Sequence, residues 1–206
     1  MSRLKVCGIN DAAFAVEAAR RGIDYLGLIF ADGSPRRVTT EQAVEIAAAV
    51  REQGFAPRFV GVFVDHSTSA IASIASAVRL DAIQLHGDYG AEDIAALKSA
   101  GYEVWILHQQ ETDAEEIADA VLIDGRCGAK RGGTGMRADW SLVASLKQAG
   151  HRVILAGGIS AENIAAAIAT GADVIDINSS LEISPGRKSI VLLDKLLAAT
   201  HIPCAL

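Results

Sequence analysis

The sequence has few cysteines, no block of like charge and no long apolar run. Cys7, Cys127 and Cys204 are the only three thiols in 206 residues. An odd number at such wide spacing suits neither a disulfide framework nor a zinc site built from paired C-x-x-C. Reduced thiols in a cytoplasmic protein are the economical reading, and they leave each cysteine available for chemistry. No apolar stretch approaches the roughly 20 residues that span a bilayer, so a membrane protein is not expected. The N-terminal MSRLKVCGIN lacks the basic and apolar regions of a secretory signal and reads directly as a strand. The formal net charge is −6 and is spread along the chain. A nucleic-acid partner would want a basic stripe, and there is none. No linker or low-complexity tract divides the sequence, which reads as one domain over residues 1–206.

What the sequence has in quantity is alternation. Short β-rich apolar runs fall at 4–8, 25–30, 59–64, 82–85, 104–108, 120–123, 153–156 and 174–177, eight in all. Several are nearly continuous in Val, Ile and Leu, as expected of parallel strands covered by helices. Helical segments lie between them. Asp11 can cap the first, whose apolar positions include Phe14, Val16 and Ala19. Thr39 or Thr40 can begin the second, with Val44, Ile46 and Val50 inward. Further helices are expected over 67–78, 91–100, 113–118, 139–149, 161–170 and 189–199, and Gly22, Gly54, Gly101, Gly150 and Gly171 stand where helices close. Eight strand–helix units predict an α/β fold, a single (β/α)8 TIM barrel. The competing open sheet would normally carry G-x-G-x-x-G after its first strand, and Cys7-Gly8-Ile9-Asn10-Asp11 is no such turn.

In such barrels chemistry gathers at the C-terminal strand ends. Cys7 ends the first strand. A cysteine in an apolar strand is commonly inert core. At a strand exit, with Lys5 on the same side two residues earlier, it can instead be a base, because a nearby cation favours thiolate and moves the thiol toward useful basicity. The lesser alternative for Lys5 is a surface lysine on the first strand. Asp124 closes Ala-Val-Leu-Ile-Asp and is either a loop cap or an acid whose pKa partial burial would raise. Lys-Arg-Gly-Gly-Thr-Gly at 130–135 lies in a loop of about a dozen residues between strand six and its helix, a length usual for a functional lid or for simple disorder. Gly157-Gly158 and Ser179-Ser180, after strands seven and eight, occupy the barrel's usual phosphate position. Ser34-Pro35-Arg36-Arg37 offers an arginine that could meet a carboxylate bidentately, or two solvated cations. His86 ends strand four and is read as a hydrogen-bonded structural group. No second ligand stands at motif spacing, so no metal is expected.

Taken together, Lys5-Val6-Cys7-Gly8-Ile9, Gly27-Leu28-Ile29-Phe30 with Ser34-Pro35-Arg36, Val60-Gly61-Val62-Phe63, Gln84-Leu85-His86-Gly87, Gly132-Gly133-Thr134-Gly135 with Asp139-Trp140, Leu155-Ala156-Gly157-Gly158 and Ser184-Pro185-Gly186 with Lys188 resemble phosphoribosylanthranilate isomerase. The blocks run in that family's order and cover nearly the whole chain. The resemblance implies an Amadori rearrangement in tryptophan biosynthesis, with no metal or organic cofactor. It assigns Cys7 as general base, Asp124 as general acid, Arg36 to the anthranilate carboxylate, and Gly157, Gly158, Ser179 and Ser180 to the phosphate. It implies a small phosphorylated substrate, no nucleic-acid or membrane partner, and a monomer or homodimer. A histidine-pathway barrel isomerase performs the same rearrangement, but has an aspartate where Cys7 stands and is longer. A non-catalytic paralogue that binds a phosphorylated ligand would have no need of Cys7 or Asp124. The chain departs from the family's usual pattern at Asn10, Leu28, Ala138, Asn178, Ser180 and Ser189. A serine at 180, where glycine is usual, requires a negative φ.

Overall fold

The computed structural model describes residues 2–108, 113–124 and 139–200. Eight parallel strands close into a barrel: β1 (Arg3–Val6), β2 (Tyr25–Ile29), β3 (Arg58–Val64), β4 (Ala82–His86), β5 (Glu103–Leu107), β6 (Ala120–Ile123), β7 (Val153–Leu155) and β8 (Val174–Ile177). Each pairs with its neighbours in sequence order, and β1 closes on β8 through Arg3↔Val174, Leu4↔Ile175, Lys5↔Asp176 and Val6↔Ile177. All eight expected strands are present. A two-stranded antiparallel hairpin, β9 (Glu182–Ser184) with β10 (Arg187–Lys188), follows the barrel and was not anticipated from the sequence.

The helices are α1 (Ala12–Arg20), α2 (Thr40–Glu52), α3 (Thr68–Val78), α4 (Ala91–Ser99), α5 (Asp113–Ile117), α6 (Leu142–Gln148), α7 (Ile164–Ala169) and α8 (Ile190–Ala199). Their starts follow local chemistry. Asp11 Oδ1 accepts the Phe14 amide at 2.6 Å. Thr39 and Gln42 form a reciprocal capping box, which settles the choice between the two threonines. The expected closing glycines all have positive φ, whereas α3 ends on Arg79 in the left-handed region at φ 60°. On α2 the inward face is Ala43, Ile46, Ala47 and Val50. Val44, expected inward, is instead 39% exposed, because one residue's rotation past Ala43 turns it off the apolar stripe. Helices α6 and α7 start later than expected, at Leu142 and Ile164.

Strand alternation divides the interior in two. Leu4, Val6, Leu26, Leu28, Ile83, Leu85, Val121, Ile123 and Ile175 face the helices in one large cluster. Tyr25, Val60, Ala82, Trp105, Ala120, Leu122, Ile154, Ala156 and Val174 fill the barrel in another. Cys7, Ile29 and Val62 form a third, small group. The second cluster plugs the N-terminal half with side chains, so the mouth at the strand C-termini is left to polar groups.

The strand starts carry a fourfold device. Asp24, Asp81, Asp119 and Asp173 immediately precede β2, β4, β6 and β8. Their Oδ2 atoms accept the amides of Leu4, Phe59, Val104 and Val153, the strands before, at 2.8, 2.7, 2.8 and 2.8 Å. Each aspartate's own amide returns a hydrogen bond to the carbonyl of the same residue, at 3.1, 2.9, 2.8 and 2.8 Å respectively. Every odd strand is thereby clamped to its even successor across the intervening helix.

Candidate active site

The mouth is built outward from β1. Alternation turns Lys5 and Cys7 into the lumen, and both are buried: Lys5 is fully enclosed and Cys7 is 5% exposed. The surface reading of Lys5 is excluded. Its ammonium donates to Asp176 Oδ2 at 2.7 Å and to Gln84 Oε1 at 2.9 Å, joining β1 to β8 and β4. Its charge also acts on the Cys7 thiol, two residues along the same face of the strand. Gln84 Nε2 in turn lies 2.6 Å from His86 Nε2, which gives His86 the structural partner expected for it. Room for the thiol comes from Gly27 on β2, where an added Cβ would sit 2.9 Å from Cys7 Sγ and 3.0 Å from Cys7 Cα.

The electrostatics correct one expectation. Burial pushes the Cys7 thiol up from its ordinary value; Lys5 pulls it down, Asp176 pushes it up, and Lys188 pulls it down, with a net upward shift. The expected cation is in place, but dehydration of a thiolate outweighs it. Burial likewise drives the Asp176 carboxyl upward despite Lys5, with Asp124 adding repulsion. Lys5 remains protonated: burial opposes its charge, and Asp176 and Cys7 together overcome that.

Asp124 follows β6 on the inward side, half-buried. It lies within electrostatic reach of Asp176, which lies within reach of Cys7. The two sequence-predicted proton-transfer residues thus border one polar cluster. Asp176 was missed by sequence reasoning. A charged residue interrupting Val-Ile-Asp-Ile at the inward position was the signal that could have found it.

A second ionic group lies at the rim between β2 and the hairpin. Arg36 is bidentate to Glu182, with Nε–Oε1 and Nη2–Oε2 both at 2.7 Å. Lys188, whose side chain is 2% exposed, donates to Glu182 Oε1 at 3.1 Å, Asn178 Oδ1 at 3.1 Å and the Asn178 carbonyl at 3.2 Å. Burial raises the Glu182 carboxyl, but Arg36 and Lys188 overcome it and hold the group below the usual carboxylate range. Burial lowers the Lys188 ammonium. Gly8, at φ 73°, permits this assembly, since a Cβ there would meet Arg36 Cδ at 2.6 Å and Asn178 Oδ1 at 2.9 Å. Asn10, one of the departures from the family pattern, ties the β1 exit to the hairpin through Nδ2 to the Gly186 carbonyl at 2.9 Å. Leu28 is fully buried, facing the helices. Arg37 instead pairs with exposed Asp32 at 3.1 Å.

After β7, Gly157 and Gly158 both take positive φ, 83° and 70°. Asn163 holds that loop by donating to the Gly158 carbonyl at 2.8 Å and accepting the Ser160 amide at 2.9 Å. After β8, Ser179–Leu181 form a 3-10 turn. Ser180 is not among the positive-φ residues, so serine meets the backbone requirement there. Its buried Oγ has no partner among the described residues. Ser189 is the N-cap residue of α8 but makes no side-chain cap bond. Cys127, Cys204, Ala138 and the glycine loop 132–135 lie outside the described residues. No described helix is long and apolar enough to cross a membrane.

The chain is similar to known proteins over nearly its whole length. The family described as N-(5'phosphoribosyl)anthranilate (PRA) isomerase matches residues 4–199. An N-(5'-phosphoribosyl)anthranilate isomerase of Campylobacter jejuni is 37% identical over 96% of this chain and 98% of its own. One from Bacillus subtilis is 38% identical over 87% of this chain and 86% of its own. Among solved structures, phosphoribosyl anthranilate isomerase from Thermus thermophilus superposes with a TM-score of 0.80 at 32% identity, covering 96% and 97% of the two chains. A structure of phosphoribosyl anthranilate isomerase in complex with reduced 1-(o-carboxyphenylamino)-1-deoxyribulose 5-phosphate gives 0.81 at 25% identity over 97% and 98%. The chain therefore belongs to the N-(5'-phosphoribosyl)anthranilate isomerase family, and it is an isomerase of the aldose–ketose type.

Proposed function

We propose that the protein converts N-(5-phosphoribosyl)anthranilate to 1-(2-carboxyphenylamino)-1-deoxyribulose 5-phosphate, with Asp124 as general acid and Cys7 as general base. The observation that carries this reading is that Cys7 and Asp124 turn into the same barrel mouth and border one buried polar cluster. Asp124 protonates the furanose oxygen and the ring opens to an iminium. The cationic nitrogen then serves as electron sink, and Cys7 removes the proton from C2 to leave an enolamine, which tautomerises to the ketone. Proton transfer by two positioned groups on opposite sides of the sugar requires the substrate to be anchored at both ends.

Arg36 anchors the anthranilate carboxylate. Its Nε and Nη2 are engaged by Glu182, so Glu182 fixes the plane of the guanidinium and Nη1 is left for the substrate. Gly157, Gly158, Ser179 and Ser180 hold the phosphate, with their loop amides as donors. The reaction uses no cofactor, and we place the enzyme in the cytoplasm as one domain, acting as a monomer or homodimer.

Complementation of a tryptophan auxotroph lacking this isomerase is the test, together with Cys7→Ser and Asp124→Asn. Each variant should lower kcat by orders of magnitude while product-analogue affinity changes little. Near wild-type kcat in either removes that residue from its role.

A further inference from the structure

A base that burial keeps protonated poses a problem for the proposed chemistry, and the residues around Cys7 contain an answer. Lys5 is a single ammonium placed between two groups that can each carry one negative charge, Cys7 and Asp176. Asp176 is 7% exposed, and its Oδ1 is buried with no partner among the described residues, while Oδ2 holds Lys5. One enclosed cation stabilises one enclosed anion; a second anion beside the first has no counter-charge and is strongly disfavoured. We propose that Cys7 and Asp176 share one proton across Lys5, so that Cys7 becomes thiolate by passing its proton to Asp176 rather than to solvent. The S–H bond of Cys7 breaks and an O–H bond forms at Asp176 Oδ1, directly or through one water. Lys5 keeps its three N–H bonds and turns its charge from carboxylate to thiolate. Net charge in the cluster does not change, which removes the dehydration cost that makes isolated ionisation of a buried thiol unfavourable.

The other charged groups facing the pair are accounted for. Lys188 from the hairpin and Arg36 from the loop after β2 both favour thiolate, although Glu182 neutralises much of their field. Asp124 after β6, once it has given its proton to the substrate, repels Asp176 and so favours its protonated form. Gln84 from β4 holds Lys5 in place for either partner, with His86 behind it. Asp176 is thus a positioning residue acting through Cys7. This inference rests on Cys7 being the base.

The experiment is the pH dependence of Cys7 alkylation by iodoacetamide, read on the Cys7 peptide by mass spectrometry, beside kcat for the same proteins. In Asp176→Asn, which keeps the shape, Lys5 serves the thiol alone. The alkylation midpoint should fall by at least about one pH unit, yet kcat should drop at least tenfold because the internal acceptor is gone. In Lys5→Met the midpoint should rise, and Lys5→Arg should bring it back toward wild type. A midpoint in Asp176→Asn that stays or rises overturns the shared proton. A lower midpoint with unchanged or higher kcat overturns the transfer to Asp176. The Asp176→Asn result stands by itself if Lys5→Met fails to fold. Alkylation reports the thiol without substrate, so normal shifts in a protein whose Cys7→Ser variant stays active would reject the base assignment and not the proton sharing.

Discussion

At the residue scale, the mouth depends on two close approaches that only glycine allows, and Gly27 gives the sharper prediction. A methyl at Gly27 would stand 2.9 Å from Cys7 Sγ and within 3.3 Å of its Cβ. Cys7 has little room to yield, because its amide is tied to the Ile177 carbonyl at 2.8 Å and the residue is buried. Gly27→Ala should therefore destabilise the protein by about 1–3 kcal/mol, as overpacking does. It should also displace the thiol and lower kcat well beyond what that loss of stability explains. Urea unfolding paired with kcat at a temperature where the variant is folded checks both, and an active variant with wild-type stability would show that the β1–β2 contact is slack. Much of this site was legible in the sequence. Lys5 beneath Cys7 follows from strand alternation alone. The direction of the thiol's shift did not follow, because it is a contest between burial and charge, and the sequence holds only the charge. Nor could spacing reveal that Glu182 occupies Arg36, since the two residues meet through a hairpin whose turn chemistry was read as part of a motif.

At the element scale, the four aspartates preceding β2, β4, β6 and β8 make the barrel a ring of four clamped βαβ modules. A charged acceptor on a strand amide is among the stronger hydrogen bonds, contributing about 1.5–3 kcal/mol when protected and less at a wet rim. Asp81→Ala should cost about 1–2 kcal/mol on that scale, since it leaves the Phe59 amide without its 2.7 Å partner. It lies at the strand starts, away from the mouth, so kcat and KM should be unchanged. A variant that unfolds at the wild-type urea midpoint would show that water replaces the carboxylate at no cost. The strands were legible because runs of Val, Ile and Leu bounded by glycine and aspartate are unambiguous at this length. The aspartates were visible as letters, but their role was not, because each reaches back across a whole helix to the strand before it. Helix starts were read well where a cap residue stood alone, as at Asp11. They were read too early where turns precede the helix, as at residues 139–141 and 161–163.

For the whole molecule, the balance of buried charge at the mouth should set the response to acid. Glu182, with only 4% of its side chain exposed, carries Arg36 and Lys188, and they hold its carboxyl below the ordinary value of 4.5. The unfolded chain therefore binds a proton at Glu182 more readily than the folded one does. Its stabilisation is fully present above that ordinary value and is lost as pH falls through the folded value. Asp176 works with the opposite sign. Its carboxyl is held above 3.8, so its contribution is present below that value and fades as pH rises through the folded one. On the acid side the two groups oppose each other, which separates Glu182 experimentally. Glu182→Gln leaves the buried Lys188 and the partly exposed Arg36 without their anion and should cost about 3 kcal/mol near pH 7, the low end of the penalty for breaking a buried pair. As pH drops below about 4.5 the wild type loses what the variant already lacks, so the two stability curves should converge. Urea unfolding at several pH values between about 7 and 3 makes the comparison, and curves that stay parallel would mean that Glu182 keeps its proton affinity on folding. The same substitution releases the Arg36 fork, so a gain in affinity for small carboxylates should accompany the loss of stability. The rim pair would then be seen to hold Arg36 ready at the expense of its grip.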